Sequence, residues 1–246
     1  MQISNAVQKD QMKFMSGKVG VKNDQPDNDP NGVKAYENAC AKYGIAVNAK
    51  VWAALVKGSL VVDLINIKIG EKGAMALAEA LKVNKVITAI DLTNCNIGDE
   101  GAKALAEAFK KNTSITGINL NENNIGDEGA KAFADCLKGD ITLKVKGNTT
   151  LTELSLGTNK ITDEGANALA EALMINNTLK KLDLMQNLIG DPGAIAFANI
   201  FTVNTSLNEL ILAQNYINHL GAKALRDAVT IRKADKEKKP IKVDCY

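Results

Sequence analysis

The sequence of 246 residues is poor in the groups from which enzymes and nucleic-acid binders are built. It holds one histidine, His219, and two arginines, Arg226 and Arg232, so bidentate capture of phosphate or carboxylate has little material to work with. Aromatic residues make up 4% of the chain, and Trp52 is the single tryptophan. The four cysteines, Cys40, Cys95, Cys136 and Cys245, lie far apart and show neither a CxxC pair nor a metal-ligand spacing. That usage fits a reducing compartment, and a cytoplasmic location is the expectation. No run approaches the roughly 20 apolar residues of a membrane span, and the first residues carry no signal-peptide core. A net charge of +2, from 30 basic and 28 acidic residues, argues against specific nucleic-acid binding. Nucleophile elbow, Walker loop, dinucleotide fingerprint and zinc spacing are all missing, so the expectation is a non-enzymatic protein without cofactor or metal. His219 reads as a turn residue near a helix start.

What the chain does have is repetition. The stretch Ile87 to Phe109 joins a strand pattern (Ile90, Leu92) through the turn Asn96-Ile97-Gly98-Asp99 to a helix with Leu105 and Phe109 on one face. Copies begin near Ser59, Ile87, Ile115, Leu151, Leu179 and Leu207, at intervals of 28 residues except for 36 between Ile115 and Leu151. A fixed period with two elements per unit predicts a solenoid whose units bury their apolar edges against one another.

The inward strand pairs are Val62/Leu64, Ile90/Leu92, Ile118/Leu120, Leu154/Leu156, Leu182/Leu184 and Leu210/Leu212. Three places on comes Ile67, Cys95, Asn123, Asn159, Asn187 or Asn215. A stacked Asn there can hydrogen-bond the backbone of adjacent turns, Cys95 weakly and Ile67 not at all, which makes the first repeat irregular. Asp99, Asp127, Asp163 and Asp191 stand where they would cap the helices that follow them, and Pro192 suits a first helical position. Gly73, Gly101, Gly129, Gly165, Gly193 and Gly221 let each helix approach its neighbour. Sequons at Asn112, Asn148, Asn176 and Asn204 recur between helix and strand, where Asn tolerates the left-handed conformation that ends a helix.

The flanks are organised differently. Residues 1–32 are polar and read as a mobile segment. Asp27, Asp29, Asn31 and Gly32 match the start of a calcium-binding loop, but Asn38 stands where a bidentate Glu belongs, so a plain Asp-Pro-Asn-Gly turn is favoured. Residues 33–58 form a helical N-terminal cap, with Trp52 in the lid, and residues 59–231 hold six repeats. An insertion at 139–146, GDITLKVK, alternates like a strand and predicts an extended finger. Residues 232–246 form a C-terminal cap: a basic, solvated helix end including Arg232, then a strand from Ile241 over the edge of the last repeat.

The segment Leu179-Lys-Lys-Leu182-Asp-Leu184-Met-Gln-Asn187-Leu-Ile189-Gly190 follows the LxxLxLxxNxIG pattern, and the chain resembles the leucine-rich repeat family over 59–231. Its long repeats are similar to the subclass that includes ribonuclease inhibitor, the Ran GTPase-activating protein, tropomodulin's C-terminal half and the sensing domains of NOD-like receptors. The resemblance implies an α/β fold: a curved solenoid with a parallel sheet on the concave face and helices on the convex face.

Function is then expected on the concave surface, where the residues flanking each inward pair project. Acids there are Asp63, Asp91, Glu122, Glu153, Asp183 and Glu209, six against Lys181, a net of −5 in a nearly neutral chain. Ile65, Asn119, Met185, Ile211 and Tyr216 complete the predicted contact set, with Tyr216 the strongest anchor. The expected activity is that of a scaffold binding another protein with a basic surface. The alternatives are a small-GTPase regulator like the Ran-directed one, or a filament-capping protein.

Overall fold

The computed structural model describes residues 29–140, 145–235 and 239–245. Most of the 1–32 segment, including Asp27, lies outside these residues, as do the insertion residues Ile141, Thr142, Leu143 and Lys144 and the terminal Lys236, Lys238 and Tyr246.

The described chain begins with a turn. The Gly32 N–H donates to the Asp29 carbonyl at 2.9 Å, and the Asp29 carboxylate accepts from the Ala35 N–H at 2.8 Å, which starts α1 (Val33–Tyr43). Helix α2 (Ala49–Lys57) is capped by Asn48, whose side chain accepts from the Lys50 and Val51 N–H groups. Val51 and Leu55 are buried, and the half-buried Trp52 packs against the core while its indole donates to Glu37 at 2.7 Å.

Six strand–helix units follow: β1 (Val61–Asp63) with α3 (Gly70–Val83), β2 (Ala89–Asp91) with α4 (Gly98–Phe109), and β3 (Gly117–Asn119) with α5 (Asp127–Lys138). After a small ribbon, β4 (Gly139–Asp140) and β5 (Val145–Lys146), come β6 (Glu153–Ser155) with α6 (Asp163–Leu173), β7 (Lys181–Asp183) with α7 (Asp191–Ile200), and β8 (Glu209–Ile211) with α8 (His219–Ala234). Strand β9 (Lys242–Asp244) closes the series. The main sheet runs β1-β2-β3-β6-β7-β8-β9 with every pair parallel, while β4 and β5 pair only with each other, antiparallel. Helices α1 and α3 to α8 pack in sequence as a second layer. A sheet lining one side and helices spacing the other make a curved solenoid, because helices are wider than strands.

The predicted inward pairs are all buried, 0–3% exposed. Burying each such side chain contributes about 1.5–3 kcal/mol before entropy is charged. The Asn position behaves as expected. Asn123 accepts from the Cys95 and Ile97 N–H groups (2.9 and 3.2 Å) and donates to the Leu92 and Asn121 carbonyls (2.8 and 2.9 Å). Cys95 substitutes by donating its thiol to the Leu64 carbonyl at 3.1 Å, and burial pushes that thiol up to about 11. The repeated glycines sit where a Cβ would collide: one built on Gly193 would lie 2.7 Å from Ile189 Cγ2 and 3.0 Å from Ala166 Cβ.

Three expectations need correction. First, the aspartates do not cap their own helices. Asp99 accepts from Gly126 and Gly129 N–H at 2.8 and 2.9 Å, Asp163 from Gly190 and Gly193 at 2.7 and 2.9 Å, and Asp191 from Gly221 at 3.0 Å. Asp127 takes the Gly165 N–H and both the N–H and hydroxyl of Thr162. Each carboxylate therefore caps the helix of the next repeat and ties two units together.

Second, the sequon asparagines are not left-handed helix ends but a buried ladder. Asn112 donates to the Leu81 and Asn84 carbonyls, Asn176 to Leu137 and Asn148, and Asn204 to Leu173 and Asn176, while each accepts from its own following N–H groups. Their amide nitrogens are enclosed in the folded chain and carry no attachment point for a glycan. Third, Arg232 is not on a solvated helix end. It is 1% exposed, and its guanidinium donates to the carbonyls of Asn204, Leu207 and Lys239 at 2.8, 2.9 and 2.8 Å. It takes the place that the next asparagine of the ladder would occupy.

Candidate protein-binding face

Strands β1, β2, β3, β6, β7 and β8 are each three residues long with the middle residue buried, so the first and third project from the concave sheet. The register sets them in two columns. One reads Val61, Ala89, Gly117, Glu153, Lys181, Glu209 and Lys242; the other reads Asp63, Asp91, Asn119, Ser155, Asp183, Ile211 and Asp244. The predicted residues Asp63, Asp91, Asn119, Glu153, Asp183, Glu209 and Ile211 are thus brought together on one surface.

The second column has a structural job as well. Asp63, Asp91, Asn119 and Asp183 each accept, through Oδ1, from the N–H two residues on, at 2.9–3.0 Å. Asn at position 119 performs this turn as well as Asp does, so the turn does not require the charge. Asn119 also donates to the second oxygen of Asp91 at 3.1 Å.

The turn out of the sheet falls at one fixed place in each repeat. Asn66, Asn94, Glu122, Thr158, Gln186 and Gln214 all have positive φ, between 52° and 62°. The backbone ladder runs on to this left-handed residue, the Asn66 N–H donating to the Thr93 carbonyl and the Gln186 N–H to the Ala213 carbonyl, so Ile65 and Met185 continue the concave side and Glu122 stands at its rim. Tyr216 stands farther still, beyond Asn215 in the strand-to-helix loop, 66% exposed, with its N–H donating to the Ile189 carbonyl. Leu188, 44% exposed, occupies the same repeat position one unit earlier and was not foreseen. Its signal was the shared column with Tyr216.

Electrostatics vary along the face. Strand β9 adds Lys242 and Asp244, so with Glu122 at the rim seven carboxylates face two lysines and the surplus of five acids is unchanged. Both lysines flank Glu209, at 2.8 Å from Lys242 and 3.5 Å from Lys181. The Lys242 hydrogen bond holds the Glu209 carboxyl below its ordinary range. The negative surplus is therefore concentrated from β1 to β7. On the convex side, by contrast, Glu100, Lys103, Glu128, Lys131 and Glu164 pair with one another across three helices. Among the described residues no group of three or more His, Cys, Asp or Glu is placed to hold a metal, and His219 opens α8 on the exposed surface.

The repeat geometry has a counterpart among known proteins. A family profile described as Leucine Rich repeat matches residues 83–106, 111–134, 147–170 and 176–198. Four segments between residues 83 and 198 are leucine-rich repeats. No curated protein matches it. Among solved structures, this leucine-rich repeat chain is similar to the Actin-Binding Site 2 of Leiomodin-1, with 18% identity over 87% of this chain and 94% of that one, at a TM-score of 0.41. It is similar to the tropomodulin C-terminal domain of Caenorhabditis elegans at 14% identity, over 76% and 92% of the two chains, at a TM-score of 0.42. It is also similar to an internalin from Listeria monocytogenes at 16% identity, over 70% and 50%, at a TM-score of 0.35. Units β1–α3 and β8–α8 fall outside the matched segments yet repeat the same architecture. The first carries Ile67 in place of the ladder Asn, and the last has Asn218 where the others carry Gly or Thr.

Proposed function

We propose that this leucine-rich repeat solenoid binds a protein with a basic surface along the acidic part of its concave face. The observation that carries the reading is the uncompensated run Asp63, Asp91, Glu153 and Asp183, set against a convex surface that pairs its own charges. Four strand spacings separate β1 from β7, about 19 Å, the length of a basic helix of about 13 residues. A focused negative field raises the encounter rate and selects against acidic competitors more than it adds affinity. The exposed Ile65 and Met185 supply apolar contacts at the two ends of the run. In this reading the chain recognises and does not itself catalyse. The 28-residue period supports membership of the ribonuclease-inhibitor-like subclass, and the free thiols of Cys40, Cys95 and Cys136, all buried, support a reducing, cytoplasmic setting.

The variant Asp91→Asn/Glu153→Gln/Asp183→Asn tests the face, because Asn retains the turn acceptor, as Asn119 does, while removing the charge. Affinity capture from lysate with the parent and the variant is expected to show loss of basic partners from the variant, with unchanged thermal stability. The same partners at the same yield would overturn the reading. A GTPase-regulator role has less to draw on, since the buried Arg232 donates to three carbonyls and cannot reach another protein's active site.

A further inference from the structure

The two ends of the sheet are treated differently. At one end the chain adds β9, a three-residue strand that places Val243 in the buried column beside Leu210 and Lys242 beside Glu209, with Ile241 only 3% exposed beneath. At the other end β1 stands last in the sheet, with no strand beside it among the described residues. The Thr88 and Ala89 N–H groups donate to the Leu60 carbonyl, and the Leu64 N–H donates to the Asp91 carbonyl. In a parallel ladder alternate residues face each neighbour, so Leu60, Val62 and Leu64 turn their backbone groups to β2, and Val61 and Asp63 turn theirs outward.

That open edge is also apolar. Leu60 is 63% exposed, Val61 62%, Val56 46% and Ile65 41%. Val61–Asp63 holds no bulge, proline or lysine, so the shortness of the strand and Asp63 are its edge protections. Asp63 faces Asp91 across the ladder, and like charges directly opposite repel. A cation on the open side of Asp63 relieves that repulsion, whereas at the other end Glu209 already has a lysine on each side.

We propose that the β1 edge receives an extended segment of a partner protein, added in parallel as β9 is added to β8. The register dictates its chemistry. An apolar residue lies opposite Val61, a β-branched apolar residue enters the buried column opposite Val62, and Lys or Arg lies opposite Asp63. Main-chain hydrogen bonds to Val61 and Asp63 hold the strand, and the triplet apolar–apolar–basic sets its register. This site is independent of the concave-face reading, with which it shares Asp63 and Ile65.

A fluorescein-labelled decapeptide with Ile-Val-Lys at its centre and Ser and Thr flanks, titrated against the full chain by anisotropy, tests the edge. Binding is expected, weakened about fivefold when the peptide lysine becomes Glu and about fivefold or more by Val61→Lys in the chain. Glu153→Gln/Asp183→Asn leaves it unchanged, which separates this site from the concave face. Val61 is exposed, so an unaltered melting temperature confirms that the variant folds. A benzophenone side chain placed at position 61 is expected to cross-link to the peptide. Failure of the parent chain to bind, indifference to Val61→Lys, or cross-linking to residues 1–28 or to a second copy would each overturn the proposal.

Discussion

Replacing Asn112 by alanine removes four hydrogen bonds to the main chain at once. The side chain donates to the Leu81 and Asn84 carbonyls at 2.7 and 2.9 Å and accepts from the Ser114 and Ile115 N–H groups, both at 2.9 Å. At a net value of about 1 kcal/mol per bond, the loss is about 4 kcal/mol, reduced where water reaches the half-buried Ser114. For a chain of this size that corresponds to a fall in melting temperature of about 10 °C. Urea unfolding followed by circular dichroism measures the total. Hydrogen exchange at Ser114 and Ile115 locates it, because those amides lose their acceptor. Asn112→Asp sharpens the test. It keeps the two accepted bonds but turns a carboxylate toward two carbonyls, so at neutral pH it is expected to be at least as damaging as alanine. Burial raises the folded pKa of that carboxyl above its unfolded value, so stability returns as pH falls through the folded pKa and an O–H donor reappears. A cost below about 1 kcal/mol for alanine, or an aspartate variant milder than alanine at pH 7, would refute the account of the ladder as a shared hydrogen-bond spine.

Asp163→Ala is expected to cost about 1–2 kcal/mol in urea unfolding, and its local exchange signature should appear at Gly190 and Gly193, in the next repeat, leaving the start of its own helix protected. Arg232→Lys should lose about 2 kcal/mol, since an ammonium cannot span three carbonyls, and the destabilisation should centre on α8 and β9. Burial pushes the Cys95 and Cys136 thiols up from 9.0, to about 11 and about 12. Their contribution is thus complete below about pH 9 and lost as pH rises through those values. A Cys95→Ala/Cys136→Ala chain, weaker at pH 8, should show a smaller further drop in urea midpoint between pH 8 and pH 11 than the parent.

The apolar pattern declared most of the fold, because a residue such as Leu182 or Leu184 has one way to be buried in a strand of period two. The polar pattern was harder to place for a reason inherent in repetition. When every unit carries the same residue, a contact within one unit and a contact to the next look identical in the sequence. Asp99 is equally consistent with capping its own helix and with reaching Gly126 and Gly129, at separations of 27 and 30 residues, and the structure selects the second. Asn112 posed the same ambiguity between a helix-ending conformation and a bond to the preceding unit. Arg232 was read from its basic neighbours, Lys233 above all, whereas its environment is set by the asparagine column that it terminates. On the candidate face, the pleat correctly gathers Asp63, Asp91 and Asp183. Tyr216 lies past the left-handed residue that ends the ladder, a signal plain at Asn66 but hidden by Glu122 and Thr158.

The ribbon at 139–146 lengthens one unit by eight residues, yet β3 pairs with β6 in the same register as any other neighbours, Ile118 against Leu154. The spine crosses the insertion as well, with Asn148 donating to the Phe109 carbonyl at 2.7 Å and Asn159 to the Leu120 carbonyl at 3.0 Å. Length at this point is decoupled from curvature and from the alignment of the concave columns. The chain therefore has a port at which segments of quite different size can be exchanged, by natural variation or by grafting a reporter, without altering what the rest of the surface presents.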